Sequence, residues 1–495
     1  MVKIKNTDLL IIIGIFLLSF SARLYAFFNT SVINPDGVLY INQAKAILNN
    51  DWKLAKNCGY DFISLYHLLI PIFYRIFGDW VIAAKSISFF WGSITVIPFY
   101  FILRKFFKTS TAFLASLAFS INPFFVSYSV KLVKDPIFWF FALIGIYFFI
   151  ASLKKENKIY FLLFSSLSFL IAGLARFEIL IYFIGSIVYI SFFEDKKSKK
   201  ILFFSLPIIF LSVIILSNTF ILINQYYVWK LYFMPRAQHF FNDFFDALLK
   251  PDILARSIIA LKLEVYNMVK VLNPLLAPLF VIGILNIKKE TKKDRHFWYF
   301  ILIAFFSAIA LFLFYMKVEI LSPRYTVFII LPSYIFLCFG IENVMNFLKP
   351  RGFSEKKAIG LICFYILISV VIFQSNFIPK KTDNIVYKKI GEYIAEIEGN
   401  KTSLIMASDA RIMLYANLYA DEIICGNQLI KYDDLIKMDY QEMVAFLKNN
   451  NIKYFLWDEK SWKNAGYDFL KTSEPKHFRE IKHWDEEQLI LYWVL

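Results

Sequence analysis

The stretch SVINPDGVLYINQAKAILNN, residues 31–50, follows directly on the first apolar run of the chain, near residues 8–28. It sets a carboxylate, Asp36, in a Pro-Asp-Gly turn, then enters a helical pattern in which Ile41, Ala44 and Leu48 share a face. The segment is too short to cross a bilayer and of the kind that lies in the interface. On local sequence alone, Asp36 reads as a turn residue capping a helix that starts near Val38. What an acid and a flat helix do just outside a membrane is settled by their surroundings.

Those surroundings are apolar. Of 495 residues, 59% are hydrophobic and 19% aromatic, with mean hydropathy +0.56. Soluble globular chains run at about 45–50% apolar. Runs of about 18 or more apolar residues recur, each long enough to cross a hydrocarbon core of about 30 Å. In lipid such runs are helices, because backbone groups must be satisfied internally. The formal charge of +16 does not point to nucleic acid. Nearly all of it sits in short clusters between the apolar runs: MVKIK, RKFFK (104–108), KKENK (154–158), EDKKSKK (194–200), KKETKKDRH (288–296) and KPRGFSEKK (349–357). By the positive-inside rule these clusters are cytoplasmic.

Alternating basic clusters with apolar runs predicts about eleven transmembrane helices. They lie near 8–28, 80–103, 110–128, 136–153, 159–175, 179–193, 201–223, 272–287, 297–316, 325–346 and 358–378. The fold class is a mainly α polytopic membrane protein with its N-terminus cytoplasmic, an uncleaved first span, and a small extracytoplasmic α/β domain at the C-terminus. Residues 1–379 form the transmembrane module, with outer loops 29–79 and 224–271, and residues 380–495 form the outer domain. In that tail TSLIMAS, DEIICG and IKYFLWDE read as strands and YQEMVAFLKNNN as a helix, an alternation that predicts some parallel pairing. Of four cysteines, Cys338 and Cys363 fall in expected spans. Cys58 and Cys425 fall outside them and form the pair open to a single bridge, which sequence alone does not establish.

The order of these features resembles the C-type integral membrane glycosyltransferases (GT-C fold), the group that includes protein O-mannosyltransferases and lipid A aminoarabinose transferases. The resemblance rests on Asp36, Gly37, Tyr40 and Ala44 after the first span, then FYRIFGD and AAKSISFFWGSITVIPFYFILRKFF. It continues through NPFFVSYSVKLVKDPIFWFFALIGIYF, ARFE and SPRYTVFIILP, and covers about residues 8–378. Gly37 stands where several members carry a second acid, which weakens a specific link to protein O-mannosylation. The likeness implies an inverting transferase that moves a sugar from a polyprenyl- or dolichyl-phosphate donor to an acceptor hydroxyl on a glycolipid, glycan or protein.

Such a reaction needs a base for the acceptor proton and cations for the departing lipid phosphate, both near the outer surface. The resemblance makes Asp36 the base and Asp135 a second functional acid. By itself, Lys-Asp-Pro before a span is also a ready helix start. Arg324, in SPRY, matches a family arginine and is implied as a ligand of the leaving phosphate. Lys131 and Lys134 lie on the outer side by topology and are candidate phosphate ligands, with Arg176 a further one. The plainer reading of Arg176 is an ion pair with Glu178 or Asp36. Tyr40, Glu178 and His67 are candidate positioning residues. With five His and no His/Cys cluster at ligand spacing, no cofactor is expected, although a hard cation between Asp36 and Asp135 is compatible with the residues. The rival class is a lipid-linked sugar flippase, which would distribute acids and cations at mid-span; here they gather at outer ends.

Overall fold

The computed structural model describes residues 6–58, 63–154, 159–216, 252–287, 295–373, 384–399, 401–420, 422–424, 432–463, 465–473 and 475–495. Much of the outer loop at 224–271, most of the basic cluster at 288–296, and Cys425 lie outside them. The chain divides into two compact units. The first comprises Met1–Asn29, Ser64–Tyr66 and Lys85–Pro379, the second Thr30–Ile63, His67–Ala84 and Lys380–Leu495.

The first unit is helical and patterned inside out. In the helix Asn6–Asn29, Ile15, Ser19, Arg23 and Ala26 are buried at helical spacing, while Leu10, Leu17, Tyr25 and Phe28 are exposed. Polar groups face in and apolar ones out, as in a helix solvated by lipid. Six described helices are long and apolar enough to span: Asn6–Asn29, Trp80–Leu103, Asp135–Leu153, Arg295–Val318, Val327–Arg351 and Glu355–Phe373. The chain is a multi-pass membrane protein. The expected spans at 110–128, 159–175 and 179–193 are shorter apolar helices, Thr109–Ser120, Tyr160–Ala175 and Phe177–Phe193. The expected span at 201–223 is entered by the helix Lys197–Leu216.

Around residue 272 the structure differs from the sequence reading. A 20-residue helix, Ile253–Leu272, occupies what reads as loop, and the helix after it, Ala277–Leu285, is bent by 113° against it. The bend falls at Asn273, whose φ of 82° lies in the left-handed region. A helix end leaves its last carbonyls unpaired. Here the side-chain amide of Asn122 donates to Val271 O at 2.9 Å and Leu272 O at 3.2 Å. The Asn273 amide donates to Ser369 O and Oγ, both at 3.2 Å. Beyond the bend, Ala277–Leu285 lies flush on Val327–Leu348. A Cβ at Gly283 would stand 1.8 Å from Phe336 O, and one at Gly340 1.8 Å from Leu279 O. Small residues permit this backbone approach, as at many helix crossings in lipid.

The second unit is built on a four-stranded sheet of β1 (Ile405–Met406), β2 (Tyr454–Asp458), β3 (Phe478–Trp484) and β4 (Leu489–Val494), in the order β1-β2-β4-β3. β1 and β2 pair in parallel; β4 pairs antiparallel with both β2 and β3. Strand alternation sends Phe455, Ile490 and Tyr492 to one core with Met443 and Leu447, and Tyr454, Leu456 and Leu491 to another with Ile390 and Ile394. The helix Tyr440–Asn449 starts on a capping box, Asp439 with Glu442.

Residues 30–63 bond to the tail within this unit. Ile33 N donates to Tyr415 Oη at 3.1 Å, Asn42 Nδ2 to Ile424 O at 3.2 Å, and Lys45 Nζ to Asn417 O at 2.9 Å. Cys58 is disulfide-bonded, and Cys338 and Cys363 are free thiols.

Replacing Gly340 by Ala is expected to lower the denaturation midpoint of the solubilised protein, at a cost of about 1–3 kcal/mol from overpacking. Gly360→Ala, where nothing lies within 4 Å of the added carbon, serves as the neutral comparison. Equal midpoints for the two variants would show that the Gly283–Gly340 crossing is not close-packed.

Candidate active site

The first unit gathers its candidate residues at the ends of three helices. Asp135 opens the helix Asp135–Lys154, followed by Pro136 at a position where proline has no amide to lose. Arg176 is the extended residue, φ −144°, between the helix Tyr160–Ala175 and the 3₁₀ turn Phe177–Ile179 that carries Glu178. Arg324 lies in the loop before the helix Val327–Leu348. Chain breaks of this kind let charged side chains leave apolar helices at their ends.

Arg176 is the hub. Its Nη1 donates to Asp135 Oδ1, and its Nη2 to Glu178 Oε1 at 2.6 Å. Asp135 and Arg176 are both buried, at 2% and 4% exposure. The guanidinium also lies over the rings of Tyr325, 5.3 Å to the centroid, and Phe328, 5.1 Å. Burial works against its charge, but Asp135 and Glu178 more than offset this and raise its pKa. Of the two pairings open to Arg176 in the sequence, the structure contains the one with Glu178 and adds one with Asp135. Breaking a buried pair from one side leaves an uncompensated charge, which costs about 3–5 kcal/mol.

The remaining cations stand around this hub. Arg324 lies over Tyr325, 5.3 Å from its ring centre, so the two arginines share one aromatic neighbour. Lys131 lies over Tyr128 at 4.4 Å. Its pKa is lowered by burial and then by Arg324. Burial also pushes the Lys134 ammonium down to about 7; Arg176 and Arg324 push the same way, and Glu178 and Asp135 only partly oppose them. Four cations and two carboxylates thus meet in one place, positive in excess.

Asp36, Tyr40 and His67 belong to the second unit. The helix Asp36–Leu48 begins at Asp36 itself, two residues before the expected start, and Pro35 at the N-cap supplies no capping side chain. The Asp36 carboxylate therefore sits in the first turn, where the partial positive charge of a helix N-terminus favours an anion. Tyr40 and His67 are both buried and meet edge to face, ring centres 4.9 Å apart. Sequence reasoning missed Ser88 and Arg23, which bond the segment carrying Lys131 and Lys134 through Val133 and Ser129, and Asn122, which caps the helix Ile253–Leu272. The only signal for Arg23 was a cation inside an apolar run. Among the described residues, no group of three or more His, Cys, Asp or Glu is placed to hold a metal ion.

Comparison with known proteins follows the same lines. Residues 65–221 match the family model described as dolichyl-phosphate-mannose-protein mannosyltransferase. The structure of ArnT from Cupriavidus metallidurans in the apo state superposes with a TM-score of 0.65 at 12% identity, covering 99% of this chain and 98% of that one. This chain shares its fold. The same ArnT bound to undecaprenyl phosphate gives 0.60 at 11% identity, over 99% and 98% of the two chains. The Archaeoglobus fulgidus oligosaccharyltransferase in complex with Zn and sulfate gives 0.60 at 14%, over 97% of this chain and 72% of that one. No curated protein matches the sequence. The fold expected from the order of motifs is therefore the fold found, the one shared with ArnT.

Competitive labelling with an amine-reactive acetylating reagent, read by mass spectrometry, tests the Lys134 environment. Its rate is expected to reach half-maximum near pH 7, against about 10.4 for an ordinary lysine. A midpoint in the ordinary lysine range would refute the buried cationic surroundings described above.

Proposed function

We propose that this protein is an inverting glycosyltransferase that moves a sugar from a polyprenyl- or dolichyl-phosphate donor to an acceptor hydroxyl. The observation that carries this reading is the excess of cations around Asp135 and Arg176 at the helix ends of a membrane protein with this fold. A lipid-linked phosphate is held at the membrane surface by its chain, and the bond that breaks in transfer leaves it with an additional negative charge. Lys131, Lys134 and Arg324 are the groups to meet that charge, and interactions that strengthen as it develops lower the barrier. Arg176, already engaged by two carboxylates, holds Asp135 and Glu178 in place beside them.

Asp36 is the proposed general base. It takes the acceptor hydroxyl's proton as that oxygen attacks the anomeric carbon, and the carbon–oxygen bond to phosphate breaks with its electrons going to phosphate. Attack opposite the leaving group inverts the centre. Tyr40 and His67, on or against the same helix, are proposed to shape the acceptor side. The acceptor is a glycolipid, glycan or protein hydroxyl. Transfer is proposed to need no metal, because Asp135 has a guanidinium where a metal-dependent site would place a cation. A sugar-lipid flippase would need its charges deep along the spans, and the cluster at helix ends favours transfer.

We place the second unit outside the cell membrane and the N-terminus in the cytoplasm. The bonded Cys58 belongs to an oxidising compartment, and the basic clusters between spans belong to the cytoplasm. Outside the cell membrane, Asp36 acts on acceptors presented at the outer surface.

Purified protein in lipid nanodiscs, given a panel of polyprenyl-phosphate sugars with EDTA present, is expected to release lipid phosphate and transfer sugar. Asp36→Asn should reduce turnover by about 10²–10⁴-fold, the range for a general base. Undiminished turnover in Asp36→Asn would remove it from the chemistry. Activity recovered only on adding a divalent cation would overturn metal independence. Movement of sugar-lipid across the bilayer without transfer would make the protein a flippase. Alkylation of the denatured, unreduced protein should modify two of the four cysteines, Cys338 and Cys363, and all four after reduction; four labelled at once would contradict an oxidising location.

A further inference from the structure

Arg23 lies within the first membrane span and is fully buried, at 0% exposure. A cation there is costly and is normally matched by an acid. Among the described residues no carboxylate pairs with it, and its Nη2 has no hydrogen-bond partner. Its acceptors are neutral. Nη1 donates to Ser120 O at 2.8 Å, to Ser19 Oγ at 2.7 Å and to Ser19 O at 3.1 Å, and Nε donates to Ser129 Oγ at 3.0 Å.

Two of those acceptors explain the charge. Ser120 ends the helix Thr109–Ser120, so its carbonyl is one of those a helix leaves unpaired at the negative end of its dipole. Ser129 is the residue directly after the short helix Pro123–Tyr128. One guanidinium therefore bonds the chain on both sides of the short helix Pro123–Tyr128, just before Lys131, Lys134 and Asp135. Further along, Ser88 Oγ donates to Val133 O at 2.8 Å and accepts from Val133 N at 3.4 Å. The segment from Ser129 to Val133 is thus fixed at both ends, with Lys131 between and Lys134 immediately after. Space is tight behind it. A Cβ on Gly92 would stand 2.1 Å from Ser129 Oγ and 3.3 Å from Arg23 Nε.

We infer that Arg23 is a positioning residue for phosphate recognition, holding Lys131 and Lys134 at the place where the donor's phosphate binds. The inference rests on the proposed phosphate role of those lysines. Arginine is required because its planar fork serves acceptors on two segments at once; lysine keeps the charge but presents a single point.

The test is equilibrium binding of undecaprenyl phosphate, with undecaprenol as the uncharged comparison, to the full chain in phosphatidylcholine nanodiscs at pH 6.5. Arg23→Lys is expected to weaken undecaprenyl phosphate binding about tenfold and leave undecaprenol binding unchanged. Ser129→Ala removes the Nε acceptor, together with the local bond that Ser129 Oγ donates to Phe125 O at 2.6 Å, and is expected to act in the same direction, which keeps the test open should Arg23→Lys fail to fold. In a background carrying Lys131→Met and Lys134→Met, the effect of either substitution should vanish, because coupled residues are not additive. If Arg23→Lys or Ser129→Ala weakens binding equally with and without the two lysines, or weakens undecaprenol as much, the role is merely structural and the inference fails. If the lysine double variant binds undecaprenyl phosphate as well as the native chain, the phosphate reading itself fails, and this inference with it.

Discussion

A guanidinium held between two carboxylates, Arg176 with Asp135 and Glu178, is the interaction on which the arrangement of the first unit depends. Each partner comes from a different helix end, so the contact ties together the starts and stops of apolar helices that lipid itself does little to order. The hydrophobic effect that collapses a soluble core gives no preference among these helices once they are in a bilayer. Specificity has to come from close backbone contact and from polar groups with few alternatives. Gly283 against Phe336 O and Gly340 against Leu279 O supply the first. Arg176, Asn122, Asn273 and Arg23 supply the second.

These polar contacts share a feature. Asn122 caps the carbonyls of Val271 and Leu272 and Arg23 that of Ser120, so side chains satisfy backbone groups where helices stop or bend, while Asn273, at the bend itself, bonds Ser369 within the helix Glu355–Phe373. A helix can break inside a membrane protein only where something replaces the lost bonds. The broken ends are also the places where charge can emerge from apolar surroundings. Structural need and chemical opportunity coincide there, which is why Asp135, Arg176, Glu178 and Arg324 lie at ends of helices.

Much of this was legible in the sequence, for physical reasons. Spans announce themselves through length and hydropathy, and Asp36, Asp135, Lys131, Lys134, Arg176 and Arg324 stand out because charges are rare beside such runs. YQEMVAFLKNNN carries helical periodicity and its own cap, and becomes Tyr440–Asn449; IKYFLWDE becomes β2. Long-range pairings were less visible. The β3–β4 hairpin has fewer turn signals and a register shift between Glu480 and Lys482. The helix Ile253–Leu272 was hidden by its mixture of Lys, Arg and Glu with apolar residues, which reads as part of the outer loop 224–271. Arg23 was not singled out in the sequence, since apart from Ser19 its partners are Ser129, 106 residues away, and a backbone carbonyl that no pattern can flag.

The charge balance of the first unit bears on the proposed phosphate role. Lys131, Lys134, Arg176 and Arg324 face Asp135 and Glu178, so with every group ionised two positive charges are left over. Burial lowers the pKa of Lys134 to about 7, and the excess acts in the same direction through Arg176 and Arg324. On the proposed function, a bound phosphate would favour the protonated lysine, and the lysine in return would favour the phosphate. In the proposed transfer that exchange would grow stronger as a phosphodiester becomes a departing phosphate with a second negative charge. A cluster fully neutralised by acids would bind the donor without favouring the step that breaks it, whereas one left positive gains most when the leaving group has formed.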